Sequence, residues 1–189
     1  MLLHNSAEVE LPKECEVTFV NDHLFTFKGP LGQQQYDVSK FNFTFTIREN
    51  DGQRVIVIDS WHGSKKKNNF LNTVASHLRN CVTGVTKGFR YVSKAVYKHF
   101  PIQMVIEDKG KTVVVKNFYG NKQAKRFPML GDSIATIGDE KDVLIVEGTN
   151  IEHVSQSSAN VTNWGKKEKL YDPRIFLDGI YLVERGEKA

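Results

Sequence analysis

The sequence predicts an α+β protein of two similar small domains, each an antiparallel sheet packed with a helix. Three observations carry this reading. Alternating apolar residues mark strands in both halves, a stretch of helical periodicity follows the strands each time, and the halves match at one fixed spacing. Leu24-Phe25-Thr26-Phe27-Lys28-Gly29-Pro30-Leu31-Gly32-Gln33 reads as an alternating strand ending in a turn, and so does Thr112-Val113-Val114-Val115-Lys116-Asn117-Phe118-Tyr119-Gly120-Asn121. Gly32 then lies under Gly120, an offset of 88 (120 − 32). Val55-Ile56-Val57-Ile58-Asp59 lies under Val143-Leu144-Ile145-Val146-Glu147 at the same offset of 88 (143 − 55). Between these strands the match is poor, with Phe41, Phe43 and Phe45 against Met129, Gly131 and Ser133. One offset shared by two separated strands still argues for an internal duplication of a module of roughly 90 residues.

Within the first module, Phe41, Phe43, Phe45 and Ile47 alternate with polar residues and predict a half-buried strand. Asn50-Asp51-Gly52 predicts a hairpin turn, and residues 55–58 the returning strand. Beyond Gly63-Ser64 the apolar period lengthens: Phe70, Leu71, Val74, Leu78 and Cys81 share one helix face, with Ser64 as N-cap and Gly84 as stop. Residues 87–100 are expected to link the modules, which gives domains at 1–86 and 101–189. In the second module Gly131-Asp132-Ser133-Ile134 reads as a turn between strands. A helix is expected from about Ile151; its few apolar residues (Ile151, Val154, Ala159, Val161) predict that it is short, with a polar outer face.

Composition narrows the function. At 189 residues, 40% hydrophobic and 25% charged, the chain is ordinary for a globular protein. No apolar run approaches the roughly 20 residues of a membrane helix, and no secretory signal is visible at the start. Cys15 and Cys81 suit neither a disulfide framework nor zinc, so reduced, buried thiols in a cytoplasmic protein are expected. The net charge of +4 and pI near 9.0 are weak pointers to nucleic acid, but the distribution says more. Residues 60–106 contain no Asp or Glu, yet carry Lys65, Lys66, Lys67, Arg79, Lys87, Arg90, Lys94 and Lys98. Residues 110–131 are also free of acids and carry Lys111, Lys116, Lys122, Lys125 and Arg126. Segregated cations favour an anionic polymer over a merely solvated face.

Catalytic chemistry is hard to place. No pair among His4, His23, His62, His77, His99 and His153 has metal-ligand spacing on a helix face. There is no nucleophile elbow, dinucleotide fingerprint or phosphate loop. Asp59 and Glu147 occupy equivalent strand ends, which repeat symmetry explains without an acid/base role. No cofactor is implied, and an RNA-modifying enzyme would need one. What recurs is cation beside aromatic: Trp61-His62 before the lysine triplet, Lys87-Gly88-Phe89-Arg90-Tyr91 and Tyr97-Lys98-His99-Phe100. Lysine and arginine neutralise phosphates, and aromatic rings stack on unpaired bases. Phe89 and Phe100 are expected in the core, the lysines outside it. A protein-binding adaptor with a basic face is the alternative.

Arg174-Ile175-Phe176-Leu177-Asp178-Gly179-Ile180-Tyr181 resembles the Arg-x-Phe-x-Asp-Gly-aliphatic-Tyr signature of the large-subunit ribosomal protein L-six family, called L-nine in eukaryotes. Gly84-Val85-Thr86-Lys87-Gly88-Phe89, Tyr97-Lys98-His99-Phe100-Pro101 and Val115-Lys116-Asn117-Phe118-Tyr119-Gly120 are also similar to segments of that family. The likeness covers nearly the whole chain. It implies two duplicated α+β domains and a non-enzymatic place in the large subunit, on large-subunit rRNA near the sarcin–ricin region and stalk base. Neighbouring large-subunit and stalk-base ribosomal proteins would be partners, with translation factors nearby and no membrane. The resemblance also implies that the second domain carries the main rRNA grip, through His153, Gln156 and Asn160 of its helix, a Lys166-Lys167-Glu168-Lys169 loop, and Tyr171, Arg174 and Gly179. Asp178-Gly179 is read as a turn that orients Arg174 by capping backbone N–H groups.

Overall fold

A computed structural model describes residues 2–50, 53–171, 174 and 177–188, with only the backbone of Leu2 and Asn50. The chain divides into two compact units between Lys87 and Gly88. The first contains β1 (Leu2–Leu11), β2 (Glu16–Val20), β3 (Leu24–Gly29), β4 (Gly32–Asp37), β5 (Thr44–Asn50), β6 (Gln53–Gly63) and α1 (Lys65–Thr86). Its strands form two antiparallel sheets, ordered β1-β6-β5 and β2-β3-β4. Val9, Leu11, Phe25, Phe27, Ile56 and Ile58 point into one core and meet Leu71, Val74, Leu78 and Val85 of α1. Each such fully buried side chain contributes about 1.5–3 kcal/mol.

Helix α1 begins where expected. Ser64 is extended and its side chain accepts the Lys67 N–H at 3.4 Å, satisfying one of the first-turn donors. It ends later than expected. Gly84 is buried inside the helix, which runs on to Thr86; Gly88, at φ +78°, supplies the left-handed residue just past the end. The close approach of β3 explains another glycine: a Cβ on Gly29 would lie 2.5 Å from the Val85 carbonyl oxygen. That carbonyl, one of the orphans of the last turn, accepts the Leu31 N–H at 3.1 Å. Two further expectations need correction. Phe41 and Phe43 precede β5 rather than belonging to it. Phe70 falls off the buried stripe and is 54% exposed. The expected turn at Asp51-Gly52 lies outside the described residues, although Asn50 and Gln53 on either side of it pair.

The second unit contains β7 (Phe89–Val96), β8 (Gln103–Glu107), β9 (Thr112–Lys116), β10 (Lys125–Pro128), β11 (Ile134–Ile137), β12 (Val143–Gly148), α2 (Ile151–Tyr171) and β13 (Gly179–Glu187). Its sheets run β11-β12-β7-β13 and β10-β9-β8, all antiparallel. Order β5-β6-β1 of the first unit becomes β11-β12-β7 here, and β2-β3-β4 becomes β8-β9-β10. The duplication seen as an offset of 88 is therefore a duplication of topology, to which β13 adds one strand beside β7.

Residues 87–100, expected as a link, instead hold β7, an inner strand of the second unit's larger sheet. The second helix is not short: at 21 residues it nearly equals the 22 of α1. Its buried face is built from Val154, Ser157, Ser158, Val161, Thr162 and Gly165, small residues that leave a faint apolar period. Their hydroxyls are satisfied inside the fold. Ser158 meets the Ser93 hydroxyl at 3.2 Å, and Ser157 accepts the Leu130 N–H at 3.0 Å. Asn150 caps the helix by accepting the Glu152 N–H at 2.9 Å.

Candidate nucleic-acid interface

The loop after β9 builds one wall of a cleft in the second unit. Asn117, Tyr119 and Gly120 all have positive φ, which turns the chain sharply after Phe118 has entered the core. Gly120 allows the loop to sit on Phe100, since a Cβ there would lie 2.9 Å from that ring. The Asn117 side chain donates to the Pro101 carbonyl at 2.9 Å, fixing the same approach. Under the loop, Phe118 and Phe127 pack on Trp164 of α2 with ring centroids 4.8 and 5.4 Å away.

Arg174 lies over this loop. Its guanidinium sits 5.4 Å from the Phe100 ring centroid and 5.7 Å from that of Tyr119, and it donates to the Tyr119 carbonyl at 3.2 Å. Two rings and a carbonyl limit the rotamers of a side chain that is otherwise long and mobile. Tyr119 is itself anchored, because its hydroxyl donates to the Asp178 carbonyl at 3.1 Å. The Asp178 carboxylate accepts the backbone N–H of Lys98 at 3.1 Å. Asp178 thus does hold a backbone N–H, but a distant one, and it connects to Arg174 through Tyr119. A cleft of about 470 Å³ lies between Tyr119, Asn121, Trp164, Glu168, Tyr171 and Arg174. Tyr171 is 74% exposed, leaving a ring face available for stacking.

Lys166, Lys167 and Lys169, expected in a loop, occupy the last turns of α2. Helical spacing places Lys166 and Lys169 toward Asp178 and Tyr181, and Glu168 toward Arg174. No carboxylate among the described residues pairs with these three lysines. Lys169, in the last turn, suits the helix macrodipole and stabilises the free protein, while all three offer charge to a polyanion. Along the same helix His153, Gln156, Asn160 and Lys167 recur at intervals that keep one face. Gln156 donates to Asn160 at 2.8 Å.

His153 is tied into the fold. Its Nδ1 lies 3.4 Å from an Asp132 oxygen, while the other oxygen of Asp132 accepts from the Thr149 backbone N–H at 3.1 Å and from the Thr149 hydroxyl. Burial disfavours the Asp132 carboxylate, but the bonds from Thr149 and His153 outweigh it and hold its pKa below the usual range. A depressed folded pKa stabilises above the unfolded value of about 3.9, and that stability is lost as pH falls through the lower folded value. Asp132→Asn should therefore unfold at lower urea than wild type near pH 7, with the gap closing as pH falls below the ordinary carboxylate value of about 3.9. A gap that persists in acid would mean that the side chain acts by shape and not by charge.

The remaining expected residues scatter. Arg90 faces Glu147 at 3.7 Å, Lys94 pairs with Glu140 at 2.6 Å, and Arg126 lies 3.4 Å from Glu107. The acid-free stretches in sequence are thus partly neutralised in space by acids from β8, β12 and the loop between β11 and β12. Lys122 and Lys125 are exposed before and within β10. Lys87 caps α1, donating its backbone N–H to Thr83 at 2.8 Å. Gly179 is buried beneath Tyr181, whose ring a Cβ would approach at 3.1 Å. Lys65, Lys66 and Lys67 form the first turn of α1 in the other unit. Phe89 is buried as expected, at 5%, but Phe100 is the platform for Arg174. Tyr119 and Trp164 were not singled out from sequence. The signal available for Tyr119 was its setting between Asn117 and Gly120, residues that tolerate positive φ.

No family model matches the chain. Full-length relatives do. The large ribosomal subunit protein uL6 of Staphylothermus marinus is 34% identical over 187 residues, 99% of this chain and 98% of that protein. That of Methanosarcina mazei is 35% identical over 178 residues, 94% of this chain and 96% of its own length. That of Methanocella arvoryzae is 36% identical over 179 residues, covering 95% and 96%.

Proposed function

The chain belongs to the large ribosomal subunit protein uL6 family, structural constituents and not enzymes, and from that premise we propose that its second unit is the main grip on large-subunit rRNA. The region gripped is near the sarcin–ricin segment and the stalk base, where the protein supports the surface on which translation factors dock. Neighbouring large-subunit and stalk-base proteins share that surface. The observation that carries this reading is the end of α2, where Lys166, Lys167 and Lys169 fill the last turns of a helix whose next described residue, Arg174, lies over the Phe100 and Tyr119 rings. Such a group offers point charges for phosphates, a planar fork for a phosphate or base edge, and in Tyr171 a stacking face.

The test has two stages. The protein should sediment with large subunits through a moderate-salt cushion and leave them in a high-salt wash, as phosphate-based binding requires. Chemical probing of the rRNA before and after that wash should then change reactivity around the sarcin–ricin region. Protein found only in the soluble fraction would defeat the assignment, and a footprint elsewhere would move the docking site.

A further inference from the structure

Beside the N-terminus of α1, in the first unit, lies a cleft of about 460 Å³ lined by Lys40, Phe41, Asn42, Phe43, Lys67 and Phe70. Its size falls in the range of ligand pockets, about 300–1,000 Å³. Three phenylalanines line it. Phe41 and Phe43 lie nearly parallel, 9° apart with centroids 6.2 Å distant, and only partly covered by the core. Phe70 is 54% exposed, one position away from the buried stripe of its helix. The Lys67 ammonium hangs over the Phe43 ring at 5.9 Å. No acid occupies the first turn of α1, which instead carries Lys65, Lys66 and Lys67 at the positive end of the helix dipole. That arrangement raises the energy of the free protein and is relieved by an anion.

We infer that this cleft is a second RNA site, which stacks an unpaired base of the rRNA on its phenylalanines and holds the adjoining phosphates with Lys40 and Lys67. The inference rests on the rRNA-binding reading above and adds a contact from the other unit. Charge decides between RNA and a protein partner. Lysine is depleted in protein interfaces, whereas a lysine rim around exposed rings is what single-stranded nucleic acid requires. Asn42, exposed on the rim, supplies a donor and an acceptor for a base edge.

Phe43→Leu with Phe70→Leu keeps apolar volume and removes the rings. In the full chain, with large-subunit rRNA as the probe, this pair should weaken binding about tenfold and leave the slope of affinity against salt unchanged. Lys40→Gln with Lys67→Gln, at surface positions that spare the fold, should lower the slope by about one to two units. Ultraviolet cross-linking of the wild type to the same rRNA should put nucleotide adducts on peptides containing Phe41, Phe43 or Phe70. Adducts confined to the second unit, with both double variants binding like wild type, would overturn the inference, leave the rRNA reading intact, and assign the cleft to a protein. Failure of the wild type to bind rRNA at all would defeat both.

Discussion

A second unit begun at residue 101 should fail to fold, whereas one begun at residue 88 should fold on its own. The difference is β7, which pairs along its length with β12 on one side and β13 on the other. Phe89, Ser93 and Ala95 of this strand are 5%, 1% and 3% exposed, so its inner face is part of the core. Removing it strips two ladders of their partners at once. Each lost backbone bond costs about 1 kcal/mol net, and more where the abandoned group stays buried. Loss of Phe89 burial adds about 1.5–3 kcal/mol. Together these exceed a large share of the 5–15 kcal/mol that stabilises a typical domain. The same cut removes Lys98, whose N–H binds the Asp178 carboxylate. Circular dichroism and urea melts of the two fragments decide the matter. A cooperative transition in the shorter fragment would show that β12 and β13 can close without β7.

Why that strand was hidden is instructive. Burial along β7 alternates, but hydrophobicity does not. Its inner positions include Ser93 and Ala95, and its outer ones include Val92 and Val96. Ser93 can face inward because Ser158 of α2 meets it. The same choice of small hydroxyl residues blurred α2, whose buried face alternates valine with serine and threonine. Hydrophobic periodicity detects faces that are buried by being apolar; this interface is buried by being small and internally bonded. Where the core is made of large apolar residues, as at Phe25, Phe27, Ile56 and Ile58, the strands were legible, and so was the duplication. Ser64 was legible as a cap because its role depends on local sequence alone.

Site residues follow the same logic. The lysines at the end of α2 are expected as RNA contacts through the family resemblance alone, and the structure moves them from loop to helix. The basic stretches around Arg90, Lys94 and Arg126 lost weight because sequence distance hides cross-strand partners. Glu147 and Glu140 lie about fifty residues away in the chain, yet Glu147 stands opposite Arg90 in the β12–β7 ladder. Conversely, Phe100, Tyr119 and Arg174 come together from three separated segments, and no spacing rule connects them.

Changing Lys166, Lys167 and Lys169 together to Gln should lower the slope of log affinity against log salt by about two units, since each phosphate contact contributes about 0.7 to 0.9. Lines that differ by two units in slope and meet near 1 M salt are separated on the order of a hundredfold at 0.1 M. The loss should therefore be largest at low salt and shrink as salt rises. Stability should fall by little, about 0.3–1 kcal/mol for Lys169 in the last turn of the helix, so circular dichroism should confirm an intact fold. Arg174→Ala should cost more than any single lysine, because the guanidinium is already held by Phe100, Tyr119 and the Tyr119 carbonyl. A group ordered before binding loses less entropy when RNA arrives, and its fork can make two hydrogen bonds where an ammonium makes one directed contact. Arg174→Lys separates these effects: it keeps the charge and the slope but should recover only part of the affinity. The measurement is a salt titration of wild type and variants against one large-subunit rRNA fragment. An unchanged slope in the triple variant would mean that the end of α2 faces solvent or another protein, and full rescue by Arg174→Lys would reduce Arg174 to one more point charge.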